Sequence, residues 1–379
     1  MSTIVDVARL AGVGTTTVTK VLANRPHVRT ETRQRVLDAI AALDYYPNNA
    51  GQTLRSSTPR VIGVVTPAAQ TDPFSYGFFP VVFGGIGEWA AEQEYDVLWI
   101  TATSKNGARP AYAALYKSRR VAGIIDLCIT LGDPRVAALK VSGCPFVLIG
   151  NPDDPTLPSV DADNEAAGRD VATAFLERGY TSAGFIGAAN SPAARDRLEG
   201  LRATFEAACY PLARHHTALG EPPPLDPLHG TLPDGALAPD PSRPARHTLD
   251  PSRDIVDAEA GRLAWAPWPE EFGYQTMRRW IADDDWPRAI FTFADDYAVG
   301  ALRACQEAAL RVPEDVAFVG FGDEAGGRWL RPALATVRQS THELGYRAGA
   351  LLMQLIAGTI PPDLRVMVPT RLIVRESLG

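Results

Sequence analysis

The first sixty residues carry three short segments whose apolar residues recur at helical spacing. Val5, Val7, Ala8 and Leu10 form the first, preceded by Thr3-x-x-Asp6, the spacing of a capping box. Ala11-Gly12-Val13 breaks that pattern, with Gly12 supplying the tight turn. A second segment sets Val18, Val21 and Leu22 on one face. A third runs from about Thr30 to Leu43, with Val36, Leu37, Ile40, Ala41 and Leu43 available for a shared core. Two short helices joined by a glycine-containing turn make a helix-turn-helix unit, which a third helix closes into a small domain. The outer face of the second helix then offers Thr15, Thr16, Thr17 and Lys20 to a groove of double-stranded nucleic acid. Hydroxyls of that kind serve base edges or phosphates, and a lysine serves guanine or phosphate; the bland alternative is that the threonines only cap the helix.

From Val61 onward the pattern changes to short apolar runs alternating with helical stretches. Val61 to Val65, Val97 to Ile100, Gly123 to Ile125 and Phe146 to Ile149 read as strands, with a helix between the first two over about Ile86 to Glu94. A second set begins near Asp163, with a helix to Glu177, a strand at Ala183 to Ile186 and a helix from about Ala193. Strands at Ala289 to Phe291 and Val316 to Val319 follow. Alternation of this kind predicts parallel sheets with crossover helices, hence two doubly wound α/β lobes with a ligand cleft at the carboxyl ends of their strands. Between Tyr210 and Trp265 periodicity is lost, and nine prolines fall from Pro222 to Pro251. That composition predicts a Pro-rich surface insertion over about 213–264 without regular structure.

Charge changes the picture. The chain of 379 residues carries a net charge of −7, which by itself argues against nucleic acid. Residues 1–60, however, hold eight Lys/Arg (Arg9, Lys20, Arg25, Arg29, Arg33, Arg35, Arg55, Arg60) against Asp6, Glu31, Asp38 and Asp44, a net of +4. The remainder is therefore at −11, an acidic body behind a basic head. The N-terminus has no basic stretch followed by an apolar run, and no apolar segment approaches the ~20 residues that cross a bilayer. The expectation is a cytoplasmic protein without a membrane partner. Cys128, Cys144, Cys209 and Cys305 lie far apart in no metal or redox spacing. No nucleotide-binding glycine motif, nucleophile elbow or His/Cys cluster is present, so neither an enzyme nor a cofactor or metal is expected. A plain transport-type binding protein is opposed by the head.

The residues Thr3 to Val13, Thr17 to Leu22, Glu31 to Val36 and Tyr46-Pro47-Asn48 together resemble the head of the lactose/galactose repressor family. That resemblance covers the first 56 residues and continues through the body in Val160-Asp161-Ala162-Asp163-Asn164, Arg197-Leu198-Glu199-Gly200, Ala294-Asp295-Asp296 and Val312 to Ala317 leading into Gly320-Phe321. It implies a homodimeric transcription regulator that binds a pseudo-palindromic operator with its head. The effector would bind in a body similar to periplasmic sugar-binding proteins, with a carbohydrate as the default. The expected activity is repression, with activation by a protein of the same fold as the alternative.

By the same resemblance Thr3, Thr15, Thr16, Thr17, Lys20, His27 and Asn48 are DNA contacts. Residues 48–60 are then hinge helix and linker, with Leu54 wedged into a minor-groove step. Gly51, where relatives carry alanine, weakens that helix by ~1 kcal/mol. Phe74, Arg197, Trp268 and Asp295 match ligand positions of relatives. The aspartate that relatives use for ligand hydroxyls is replaced by Gly322, so either Asp323 substitutes from a shifted loop or the effector lacks the usual hydroxyl. The resulting boundaries are a head over 1–47 and a body over 61–379. The first lobe takes about 61–160 and 338–360, the second about 161–337 and 361–379.

Overall fold

In the computed structural model, residues 2–22, 25–45, 59–66, 77–101, 111–127, 134–189, 191–213, 216–220, 256–257, 262–263, 269–359, 361 and 363–379 are described. They fall into two units, residues 1–59 and 60–379.

The first unit is built of α1 (Ile4–Ala11), α2 (Thr15–Leu22) and α3 (Thr30–Ala42). The capping box at the start of α1 is complete: Thr3 N–H and Oγ1–H both donate to Asp6 Oδ2, and Asp6 N–H donates to Thr3 Oγ1. Gly12 ends α1 in the left-handed region (φ +64°), and the N–H of Val13 reaches back to Ala8 O. Val7, Ala8, Ala11, Val18, Val21, Val36 and Ala39 form the core, with Ile4, Val13, Val28, Ile40 and Leu43 packed around it. Four residues of the apolar pattern face outward, two of which, Leu37 and Ala41, were expected in that core. Val5 is 52% and Leu10 57% exposed, and Leu37 and Ala41 are exposed too. The reason is helical geometry. With Val7, Ala8 and Ala11 inside, positions 5 and 10 fall on the opposite side of α1; with Val36, Ala39, Ile40 and Leu43 inside, 37 and 41 leave the stripe of α3.

The second unit holds two six-stranded sheets of matching design. The first contains β1 (Val61–Thr66), β2 (Asp96–Thr101), β3 (Gly123–Asp126), β4 (Phe146–Ile149), β5 (Ser159–Ala162) and a late strand, β13 (Arg365–Val368). Its order is β13-β5-β4-β3-β1-β2, parallel throughout. The second contains β6 (Ala183–Ala188), β7 (Thr217–Gly220), β10 (Ala289–Thr292), β11 (Ala317–Phe321), β12 (Ala335–Gln339) and β14 (Thr370–Ile373). Its order is β14-β12-β11-β10-β6-β7, with only β14 antiparallel. The two-residue strands β8 (Val256–Asp257) and β9 (Arg262–Leu263) pair separately.

Both faces of each sheet are covered, which is why the central strands read as unbroken apolar runs. One side of the first sheet packs on α4 (Phe78–Glu92) and α11 (Thr341–Ile356), through Val82, Ile86, Trp89, Leu344 and Leu352. The other faces a cluster of Val121, Leu139, Phe146 and Leu148, beside α5 (Ala111–Lys117) and α6 (Pro134–Ser142). In the second sheet one side meets α7 (Asn164–Glu177) and α8 (Pro192–Ala207), the other α9 (Pro269–Ala282) and α10 (Asp295–Glu307). α7 and α8 touch backbone to backbone: a Cβ on Gly200 would lie 2.1 Å from Glu165 O, and one on Gly168 2.2 Å from Arg197 O.

The chain passes between the lobes three times, after β5, after β12 and between β13 and β14. The last passage corrects the expected boundary. Residues 361–379 do not all return to the second lobe; β13 pairs with β5 in the first sheet, and β14 alone joins the second. The first lobe also extends through Ala162, not 160. The expected insertion likewise starts too early, because Thr217–Gly220 is the edge strand of the second sheet, with Ala218 buried. Four residues of edge strand, half-buried around Ala218, leave no alternation to read. Most of 213–264 lies outside the described residues.

Candidate functional site

On α2, Val18 and Val21 point into the core while Thr15, Thr16 and Lys20 are exposed and Thr17 is half-buried. Thr16 and Lys20, four apart, share one face of the helix. Thr15 offers its side chain outward while its carbonyl accepts from Thr19 Oγ1 at 3.0 Å. Thr3 is exposed, yet its hydroxyl is spent on Asp6, and that bond holds the Asp6 carboxyl below the usual carboxylate range. His27 is exposed in the turn before α3, where Arg33 donates to Arg25 O at 2.7 Å. The expected contacts Asn48 and Leu54 lie outside the described residues.

Strand order locates the second candidate site. Leaving aside the late edge strands, each lobe runs second, first, third, fourth, fifth. Such sheets bind ligands beyond the carboxyl ends of their strands at the point where the order reverses. In the second lobe that point lies between β6 and β10. Arg197 comes from α8, which follows β6, and Asp295 from the start of α10, which follows β10.

Arg197 is 5% exposed and held on several sides. Its Nε donates to Asn164 Oδ1 at 2.8 Å and its Nη1 to the carbonyl of Phe293. The guanidinium carbon lies 3.2 Å from the ring centroid of Phe321 and 4.6 Å from that of Phe293. Asn164 in turn donates to Asp161 Oδ2 at 3.0 Å and to Ala162 O at 3.1 Å. Asp161 sits on β5, so this chain of bonds ties the arginine to the first lobe's sheet. Burial pushes the Asp161 carboxyl up to about 7, against the pull of the Ala162 N–H and of Arg197. The side chain of Asp126, buried at the end of β3, faces the Arg135 guanidinium at 3.8 Å.

Asp295 is fully enclosed. Thr336 Oγ1 donates to its Oδ1 at 2.6 Å and the Glu324 N–H to its Oδ2 at 2.8 Å. Burial raises its pKa. Gly320 makes room for it, since a Cβ there would stand 2.1 Å from Asp295 Oδ1. Asp323 has a different occupation from the one expected. Its carboxylate accepts from Arg338 Nε at 2.7 Å and from Arg375 Nη2, and these bonds outweigh burial to keep it below the ordinary carboxylate range. Gly322 has φ +130°, and the acid that approaches its open side is Glu324, whose Cγ lies 3.5 Å from where a Cβ would be. Burial, then the neighbouring Asp296 and Asp295, push Glu324 up to about 7; burial, then Glu270 and Asp295, push Asp296 up to about 6.

The structure thus brings Arg197 and Asp295 to one strand end, around Phe293, and leaves Asp323 with two arginines. Phe74 and Trp268 lie outside the described residues. Sequence reasoning missed Asn164, Phe293, Phe321 and Glu324. Asn164 and Phe321 stood inside motifs already singled out; Glu324 carried no signal, because only the fold shows which side chain turns toward Gly322. Among the described residues no three His, Cys, Asp or Glu gather in a way that could hold a metal ion, and no helix is long and apolar enough to cross a membrane.

A three-helix head with an open helical face, followed by two doubly wound lobes with polar strand ends, defines a ligand-responsive DNA-binding regulator. Residues 3–48 match the family described as bacterial regulatory proteins, lacI family. Residues 59–223 match the periplasmic binding proteins and sugar binding domain of LacI family, and 242–378 match a periplasmic binding protein-like domain. The chain belongs to the lacI family of bacterial regulatory proteins. It is 27% identical to the transcriptional repressor PurR of Mannheimia succiniciproducens, over 100% of this chain and 99% of that one. The fold is similar to that of the lac repressor dimer bound to operator and the anti-inducer ONPF (TM-score 0.77, 22% identity, 100% and 99% covered). It is also similar to the transcriptional regulator CelR in complex with cellobiose (TM-score 0.67, 24% identity, 100% of both chains covered).

Proposed function

We propose that this chain is a homodimeric transcriptional repressor, working in the cytoplasm, that binds a pseudo-palindromic operator in double-stranded DNA and responds to a carbohydrate held between its lobes. Thr15, Thr16, Thr17 and Lys20 enter the major groove, Thr3, His27 and Asn48 lie along the DNA beside them, and Leu54 wedges a minor-groove step. The observation that carries the reading is the division of α2 into a buried face, Val18 and Val21, and an open face, Thr15, Thr16 and Lys20. Similarity to a repressor over its whole length supports the sign of regulation. The effector seat is at the strand ends that carry Arg197 and Asp295, with Phe74 and Trp268 as the further ligand contacts. A sugar ring suits flat aromatic surfaces, and its hydroxyls suit a forked guanidinium.

Effector control then needs a ligand that binds the two lobe arrangements with different affinity, because only that difference shifts operator affinity. Gel shifts of the purified dimer on its own upstream DNA, with and without a panel of mono- and disaccharides, test the reading. Specific retardation that one sugar alters is the expected result. A dimer that retards this DNA no better than random duplex at physiological salt sinks it.

A further inference from the structure

A polar cluster spans the two lobes at the start of α8. Asn151 and Asp153 follow β4 in the first lobe, and Arg365 begins β13 in the same sheet. Arg195 and Asp196 lie in the first turns of α8 in the second lobe. Asn151 Nδ2 donates to Asp196 Oδ2 at 2.6 Å, and Arg365 Nη2 donates to Asn151 Oδ1. Arg195 Nη1 donates to Asp153 Oδ1 at 2.5 Å, while its Nε donates to Asp196 Oδ1 at 2.9 Å. Asn151 therefore uses its amide in both senses, accepting from its own lobe and donating across the gap.

We infer that Asn151, Asp153, Arg195 and Asp196 form a clasp that fastens the lobes in this arrangement and that Asp196, next to Arg197, couples it to the effector seat. The coupling follows from stiffness. α8 is pressed backbone to backbone on α7 at Gly168 and Gly200, so its first turns move as a body. A ligand that draws the Arg197 guanidinium off Asn164 and Phe293 O acts on the same helical turn that holds Asp196 and Arg195 against Asn151 and Asp153. The clasp is also suited to opening. Its ion pair joins side chains 41% and 59% exposed, and exposed pairs of this kind are weak. The inference concerns the arrangement of the lobes, and it stands or falls separately from DNA binding.

The test is pulsed electron–electron distance measurement on the full-length dimer, with spin labels carried by a genetically encoded ketone amino acid at Val141 and Glu206. Both are exposed, on α6 of the first lobe and α8 of the second. Excess unlabelled chain isolates the intramolecular distance. Asn151→Ala is expected to add a second population to the distance distribution. Arg195→Ala and Asp153→Ala should do the same, to equal extent and without adding when combined. Arg202→Ala, which breaks an ion pair internal to α8 (Arg202 with Glu199), is expected to leave the distribution as in wild type. If Asn151→Ala does not fold, the exposed Arg195 and Asp153 variants decide the matter alone. Distributions identical to wild type in those variants, or a change of the same size in Arg202→Ala, overturn the clasp.

Discussion

The guanidinium of Arg197 lies over the ring of Phe321, its central carbon 3.2 Å from the ring centroid, although the two residues are 124 positions apart. An arginine so placed is a structural member before it meets any ligand. Replacing it with methionine keeps most of the apolar contact but leaves Asn164 Oδ1 and Phe293 O without their donor. Unsatisfied buried acceptors cost about 1–3 kcal/mol each. Arg197→Met should therefore lower the unfolding free energy from urea titration by about 2–6 kcal/mol, with a correspondingly lower midpoint, and abolish the response to effector. An unchanged midpoint would show that the two acceptors find other donors.

Lys20 is exposed and makes no contribution to the head's core, so Lys20→Ala should leave the melting of residues 1–59 as it is. Affinity for the operator should fall, by about 1–3 kcal/mol if the lysine reads guanine. If it sits on phosphate, the slope of log affinity against log salt should shrink by about one. Fluorescence anisotropy across a salt series separates these, and wild-type affinity at every salt concentration would remove Lys20 from the interface.

The close contact of α7 and α8 makes a sharp packing prediction. A methyl group at position 200 would sit 2.1 Å from Glu165 O, a backbone atom that cannot swing aside. Gly200→Ala should force the helices apart and destabilise the body by about 1–3 kcal/mol. Calorimetry of the full chain checks this; a variant as stable as wild type would mean that α8 can slide without cost.

Glu324 titrates near 7 in the folded chain, up from an ordinary carboxyl value, because it is half-buried beside Asp296 and Asp295. A group whose folded value is raised holds its proton more tightly when folded. Its contribution is complete below the unfolded value of 4.5 and is lost as pH rises through about 7. Glu324→Gln, neutral throughout, should be more stable than wild type at pH 8 and gain less at pH 5. Urea unfolding at the two pH values reads the difference, and a gain independent of pH would remove the charge from the explanation.

Much of the architecture could be read before any coordinates, because its causes are local. Gly12 must turn the chain, Val18 and Val21 recur at helical spacing, and the runs at Ile124 and Phe291 are apolar without interruption because both sides of their sheets are covered. Reading failed where the cause was distant. Leu10 looks like a core residue until α1 is seen to bury its other side. Arg365 to Val368 looked like part of the second lobe, yet nothing in four residues says which of two sheets will accept their hydrogen bonds. At the proposed effector seat Arg197 and Asp295 were visible from their motifs. The fate of Asp323 was not, since it depends on Arg338 and Arg375 arriving from other strands.

The passage from β13 to β14 has a consequence for how the molecule is made. Only Pro369 separates the last strand of one sheet from the last strand of the other. Ser377, beyond both, is fully buried and bonds Phe318 and Ala335 in the second sheet. During synthesis, then, the first lobe lacks its closing edge until residue 368 has left the ribosome and the second until residue 373, so both acquire it almost together. A lobe cut out of the gene by itself would be a sheet with a missing border and a raw seam, and the two halves are better regarded as a single folding event than as beads on a string.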